Sequence, residues 1–128
     1  MVIDSSALLA MHLKEPRHEE CFEKISKASL VVIGAPTLLE ATMVLSARTK
    51  RDAHGAIMRS LRQLRVQVIP FTEEHFDVAA DAFLRYGKGR HRAALNFGDC
   101  LSYSVAFLSG LPLLYTGNDF AQTDIQSA

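Results

Sequence analysis

A chain of 128 residues, 48% apolar and 22% charged, has the size and balance of one soluble globular domain over residues 1–128 with a substantial core. Fourteen Lys and Arg offset fourteen Asp and Glu, so no overall positive charge attracts nucleic acid, and such affinity would have to come from a local patch or a bound cation. No apolar run has the length of a membrane span and no basic signal segment opens the chain; Cys21 and Cys100 lie in apolar helical patterns without metal-ligand spacing. These features predict a cytoplasmic protein with free buried thiols and neither a membrane anchor nor a zinc site.

Met1-Val2-Ile3 reads as a buried strand stopping at Asp4, with a helix starting at Ser5-Ser6, which are good capping residues. Pro16 opens a second helix to about Ala28, with Cys21, Phe22, Ile25 and Ala28 facing inward. Leu30-Val31-Val32-Ile33 forms a second strand, ended by Gly34, and Pro36 sits in the first turn of the next helix. There Pro36, Glu40, Val44 and Ala47 share one row; the other three are apolar, so the pattern turns Glu40 inward. A helix over about 52–65 has Ile57, Leu61 and Leu64 inside and Arg59, Arg62 and Arg65 outside. Val66–Pro70 is a third strand, and Thr72 caps a helix with Phe76, Ala79, Ala80 and Phe83 on its core face.

A glycine-rich basic loop follows, with Lys88, Arg90, His91 and Arg92. Two readings of it stand side by side: a cradle for the phosphates of a nucleic-acid strand, or a solvated turn. For His91 the corresponding pair is contact with RNA or proton transfer, against a solvated loop histidine. The loop delivers the chain to a helix entered through Asn96 and Gly98, with Asp99 in its first turn and mostly apolar or small residues beyond. A helix apolar nearly all round is buried, so Asp99 stands at the mouth of the core and must be paired, protonated or bound to a cation. Leu111–Thr116 is a fourth strand, followed by Gly117-Asn118-Asp119-Phe120 and a short tail containing Asp124.

Short apolar strands alternating with helices imply an α/β fold, a parallel sheet covered on both faces. All strand carboxyl ends then lie on one edge, where ligands bind. Asp4, Glu40, Asp99 and Asp119 each follow a strand end or enter a helix from that edge. One by one they read as a cap, a buried hydrogen-bonding acid, a dipole partner and a turn. Together they form a cluster that repels itself unless it holds protons or cations, and hard oxygen donors select Mg2+ or Mn2+. The chemistry that follows is metal-assisted hydrolysis of a phosphodiester. Ser6, Asn96, Ser102, Thr116 and Asn118 are read as caps and hydrogen-bond partners of these acids, and Asp124 as an outer acid ranked below the four. A phosphoacceptor receiver domain is disfavoured, because serines follow Asp4 and the last lysine is Lys88.

The ordered set Val2-Ile3-Asp4-Ser5-Ser6, Glu40, Lys88-Gly89-Arg90-His91-Arg92, Asn96-Phe97-Gly98-Asp99-Cys100 and Leu113–Phe120 with Thr123-Asp124-Ile125 resembles a VapC-type toxin of the PIN-domain family along essentially the whole chain. The resemblance implies a three-layer α/β/α sandwich and a Mg2+- or Mn2+-dependent endoribonuclease of a type II toxin–antitoxin system. It places the catalytic acids on Asp4, Glu40, Asp99 and Asp119, with Asp4 and Asp99 as metal ligands. It also implies an RNA substrate, a VapB-type antitoxin whose tail inhibits the toxin, and a homodimer, with the apolar faces of helices 16–28 and 36–64 available for such contacts. Many relatives carry the fourth aspartate three residues before the phenylalanine, where this chain has Gly117; whether Asp119 binds metal or orients water therefore stays open. The other reading of the same resemblance is a PIN-like module that binds a partner without catalysis.

Overall fold

A computed structural model describes residues 1–128. In chain order it contains β1 (Val2–Ile3), α1 (Ser5–Leu13), α2 (His18–Lys27), β2 (Val32–Gly34), α3 (Ala35–Thr49), α4 (His54–Gln63), β3 (Gln67–Ile69), α5 (Glu73–Tyr86), α6 (Phe97–Ser109) and β4 (Leu113–Leu114), then a 3-10 turn at Phe120–Gln122. The four strands are parallel in the order β3-β2-β1-β4.

Successive strand residues point to opposite faces of a sheet. Val2, Val32 and Leu113 pack with α5 and α6 residues on one face, while Ile3, Ile33 and Leu114 pack with residues of α1 to α4 on the other. Two apolar layers around one sheet make the expected three-layer sandwich. The chain builds β2 and β3 on one side of β1, then returns to lay β4 on the other. That reversal puts the topological switch point at the carboxyl ends of β1 and β4, where open parallel sheets form the crevice that binds ligands. Asp4 stands there, its N–H donating to the Leu114 carbonyl at 2.9 Å. The outer edge of β4 is covered by the tail: Leu113 N–H donates to Gln126, and Ala128 N–H to Leu113. An edge satisfied in this way is closed to further strand pairing.

Several local expectations are corrected. α1 starts at Ser5 as expected, but its N-cap is Asp4 and not a serine. Pro16 lies in the turn before α2, which starts at His18 after Arg17 takes a left-handed φ of 70°. The buried row of α3 is Thr37, Ala41 and Leu45; Pro36, Glu40 and Val44 flank it half-buried, and Ala47 is exposed. Glu40 thus stands at the rim of the core. Phe22, Phe76 and Phe83, expected inside, are 55%, 60% and 42% exposed. The reason on α5 is the buried pair Ala79 and Ala82, whose small side chains meet the sheet-side core and leave the neighbouring phenylalanine stripe, with Ala80, outside. Both cysteines are free and buried, as expected, and no helix is long and apolar enough to cross a membrane.

Candidate active site

The Asp4 side chain is held from both sides. Its Oδ2 accepts from Ser6 N–H at 2.9 Å and from Ser6 Oγ at 2.6 Å, an N-cap geometry that anchors α1. Its Oδ1 accepts from the hydroxyl of Ser102, far away in sequence on α6, at 2.6 Å. Ser6 Oγ in turn accepts from Thr116 N–H at 3.0 Å, which ties the end of β4 to the same carboxylate. The cap of α1 and the ties to α6 and β4 therefore meet at one carboxylate.

Asp99 belongs to a capping box at the start of α6. Its N–H donates to Asn96 Oδ1 at 3.0 Å, and its Oδ2 accepts from Asn96 N–H at 2.8 Å. Burial drives its carboxyl pKa up to about 6; the Asn96 amide opposes that rise, and the charges of Asp4, Asp119 and Glu40 add to it. The charges of three acids remote in sequence thus bear on Asp99. Glu40 approaches from α3. Burial raises its pKa too, with Ser5 pulling the other way and the Asp4 charge adding to the rise. Its Oε2 is buried without a hydrogen-bond partner. The carboxylate lies against Gly98, where a Cβ would fall 2.7 Å from Oε2. A glycine beside Asp99 is what lets Glu40 come so close.

Asp119 is exposed at the start of the 3-10 turn. Asp124, ranked as an outer acid, is committed elsewhere: Tyr103 OH donates to its Oδ1 at 2.7 Å and Arg85 Nη2 to its Oδ2 at 3.0 Å. That pairing pins the tail to α5 and α6, and the two donors hold its pKa below the ordinary value against the opposing effect of burial. His91 is half-buried with its ring edge-on to Tyr86, and its Nδ1 accepts from Ala93 N–H at 3.1 Å, so it shapes the loop. Lys88, Arg90 and Arg92 are exposed. Thr37 is the member of this neighbourhood that sequence reading missed. Its one signal was a polar residue one turn before Glu40 on a helix whose next turns are apolar.

No three His, Cys, Asp or Glu side chains form a ready clasp for an ion. The donor set nevertheless suits a hard cation that keeps most of its waters and takes one or two carboxylates directly. The unpartnered Glu40 Oε2 is a buried oxygen that a bound cation would satisfy.

A PIN domain family model matches residues 1–126, and the ribonuclease VapC36 of Mycobacterium tuberculosis is 44% identical over 127 residues, 98% of this chain and 91% of the relative. The chain belongs to the PIN-domain family, in its VapC branch. The ribonuclease VapC30 of the same organism is 39% identical over 125 residues, covering 98% of this chain and 95% of its own. Among solved structures, VapC20 of Mycobacterium tuberculosis, a sarcin–ricin loop cleaving toxin, superposes with a TM-score of 0.79 at 19% identity, over 99% of this chain and 97% of the other. A toxin–antitoxin complex from Klebsiella pneumoniae gives 0.70 at 17% identity, over 96% and 92%. At those identities the structures speak for the fold, the expected α/β/α sandwich. In this VapC-type PIN domain the crevice between β1 and β4 is accordingly the place to seek nuclease chemistry, which in such proteins depends on a divalent metal.

Proposed function

We propose that this PIN domain, acting as one unit over residues 1–128, is the toxin of a type II toxin–antitoxin pair and an endoribonuclease using Asp4, Glu40, Asp99 and Asp119. The observation that carries the reading is the Glu40 carboxylate packed against Gly98, next to the buried Asp99, with one oxygen buried and without a donor. Mg2+ is the working cation and Mn2+ its substitute, because every available donor is a hard oxygen.

Asp4 and Asp99 hold the cation. When bound, it supplies a water of lowered pKa and offsets charge on the phosphate. Glu40, with a free carboxylate oxygen, orients water and would take up its proton. Asp119, exposed at the rim, orients water on the solvent side. Lys88, Arg90 and Arg92 hold backbone phosphates of the incoming strand. The test is cleavage of total RNA by the purified toxin: EDTA is expected to abolish it, Mg2+ or Mn2+ to restore it, and Zn2+ to do so poorly. Cleavage that resists the chelator would remove the metal mechanism.

Two apolar features supply the partner surfaces. Phe76, Phe83 and Phe97 rim a groove of about 440 Å3 that Pro36, Phe71, Cys100 and Leu101 help to line, and Phe97 is 81% exposed. Leu39 and Met43 extend the exposed apolar surface along α3 from Pro36. Exposed aromatic side chains are enriched where protein surfaces meet, and this face suits a second copy of the chain, giving the homodimer. A second groove, about 760 Å3 between α1, α2 and α4, mixes Met11, Phe22 and Leu64 with Ser60 and Gln63, which suits a segment of the VapB-type antitoxin. Phe97→Glu is expected to shift the toxin from dimer to monomer by sedimentation while leaving its circular dichroism unchanged. An unaltered dimer would exclude this face.

A further inference from the structure

Asp4, Glu40 and Asp99 come from three separate places, the end of β1, α3 and α6, and something must keep them in register. Thr37 on α3 and Ser102 on α6 are both buried, each 1% exposed, and their hydroxyl oxygens lie 3.3 Å apart. Ser102 Oγ is also 2.6 Å from Asp4 Oδ1. An ionised carboxylate only accepts, so Ser102 spends its single proton on Asp4. The Thr37 hydroxyl must then donate to Ser102, and the chain of bonds has one direction: Thr37 to Ser102 to Asp4.

Helix geometry gives this chain its leverage. Glu40 follows Thr37 by three residues and Asp99 precedes Ser102 by three, so each hydroxyl lies one turn from an acid on the same face of its helix. The oxygen that Ser102 touches matters as well. Oδ2 of Asp4 already accepts two bonds from Ser6, whereas Oδ1 accepts only the one from Ser102 and keeps a lone-pair position open. Ser102 therefore aims the one Asp4 oxygen still able to take another partner.

We propose that Thr37 and Ser102 are positioning residues, a buried hydroxyl tie that sets the separation of Asp4, Glu40 and Asp99 and orients Asp4 Oδ1 toward their common crevice. The inference rests on the reading of that crevice as a cation site. Its consequence is that affinity for a divalent ion depends on two side chains that never touch it, as partners of metal ligands commonly do.

The test is titration of the full-length protein with Mn2+ by calorimetry, with thermal unfolding of each metal-free variant measured alongside. Ser102→Ala and Thr37→Val are each expected to weaken Mn2+ binding by about 10- to 100-fold while unfolding stays cooperative. Thr37→Ser, which keeps the hydroxyl, is expected to bind nearly as the parent does. The double variant is expected to lose little more than the worse single one, because both act through one chain of bonds. A lowered melting temperature with parental Mn2+ affinity would reduce the tie to a structural contact and overturn the proposal, as would strictly additive losses. Should Ser102→Ala fail to fold, the contrast between Thr37→Val and Thr37→Ser still decides. No Mn2+ binding by the parent protein would sink the cation site and this inference with it, whereas binding that ignores both hydroxyls sinks the inference alone.

Discussion

Asp99→Asn is expected to make the metal-free protein more stable at pH 7 while lowering RNA cleavage by about 10²–10³-fold, the scale of losing one preorganised electrostatic group. The Asp99 carboxyl titrates near 6 in the folded chain against an ordinary 3.8, with burial as the leading cause. Between those values the folded state binds the proton more tightly than the unfolded state does. Stability linked to that proton is present at low pH and is lost as pH rises through about 6. At pH 7 the buried charge is therefore a cost. Asparagine removes the charge and still accepts the bond from Asn96 N–H, so the capping box survives. A gain of about 1 kcal/mol follows once solvent access at the crevice is allowed for, or about 4 °C in melting temperature for a chain of 128 residues. Added Mg2+ should raise the melting temperature of the parent more at pH 7 than at pH 5, where protons compete, and should barely affect the variant. A variant less stable than the parent at pH 7, or one with full nuclease activity, would contradict this account of Asp99.

Gly98→Ala should separate site from fold even more sharply. Replacing a helical glycine by alanine ordinarily stabilises by about 0.5–1 kcal/mol. Here the new methyl would fall 2.7 Å from Glu40 Oε2 and 2.8 Å from Glu40 Cδ. The colliding atoms are the far end of a flexible side chain, so Glu40 swings away at little cost to the fold. Thermal stability is expected to stay within about 1 kcal/mol of the parent, while Mn2+ affinity and cleavage both fall about 10- to 100-fold. Glu40→Gln should lose cleavage to a similar extent without the steric change. Parental activity in Gly98→Ala would mean that the close approach of Glu40 to α6 has no part in the chemistry.

These two residues also mark how far local pattern carries. Asp99 was legible because a carboxylate opens a helix otherwise apolar nearly all round, and burial follows from that pattern. Glu40 was legible as an acid on a largely apolar stretch, but its row was misjudged. Helical spacing says which residues share a face, and packing decides which face is buried: on α3 it is that of Thr37, Ala41 and Leu45. The same limit explains Phe76 and Phe83, large apolar residues that α5 leaves outside because alanines make its close contact.

By itself the sequence determined the alternation of short strands and helices, the parallel sheet covered on both faces, and the capping at Thr72 and Asn96. These depend on neighbours a few residues apart, which period and residue type encode directly. Tertiary structure alone decided that β4 lies beside β1, that Ser102 reaches Asp4 across the core, that Gly98 yields its space to Glu40, and that Asp124 serves Tyr103 and Arg85. Each is a contact between segments distant along the chain, fixed by how layers pack and which polar atoms must find partners once water is excluded, and no local pattern carries that information.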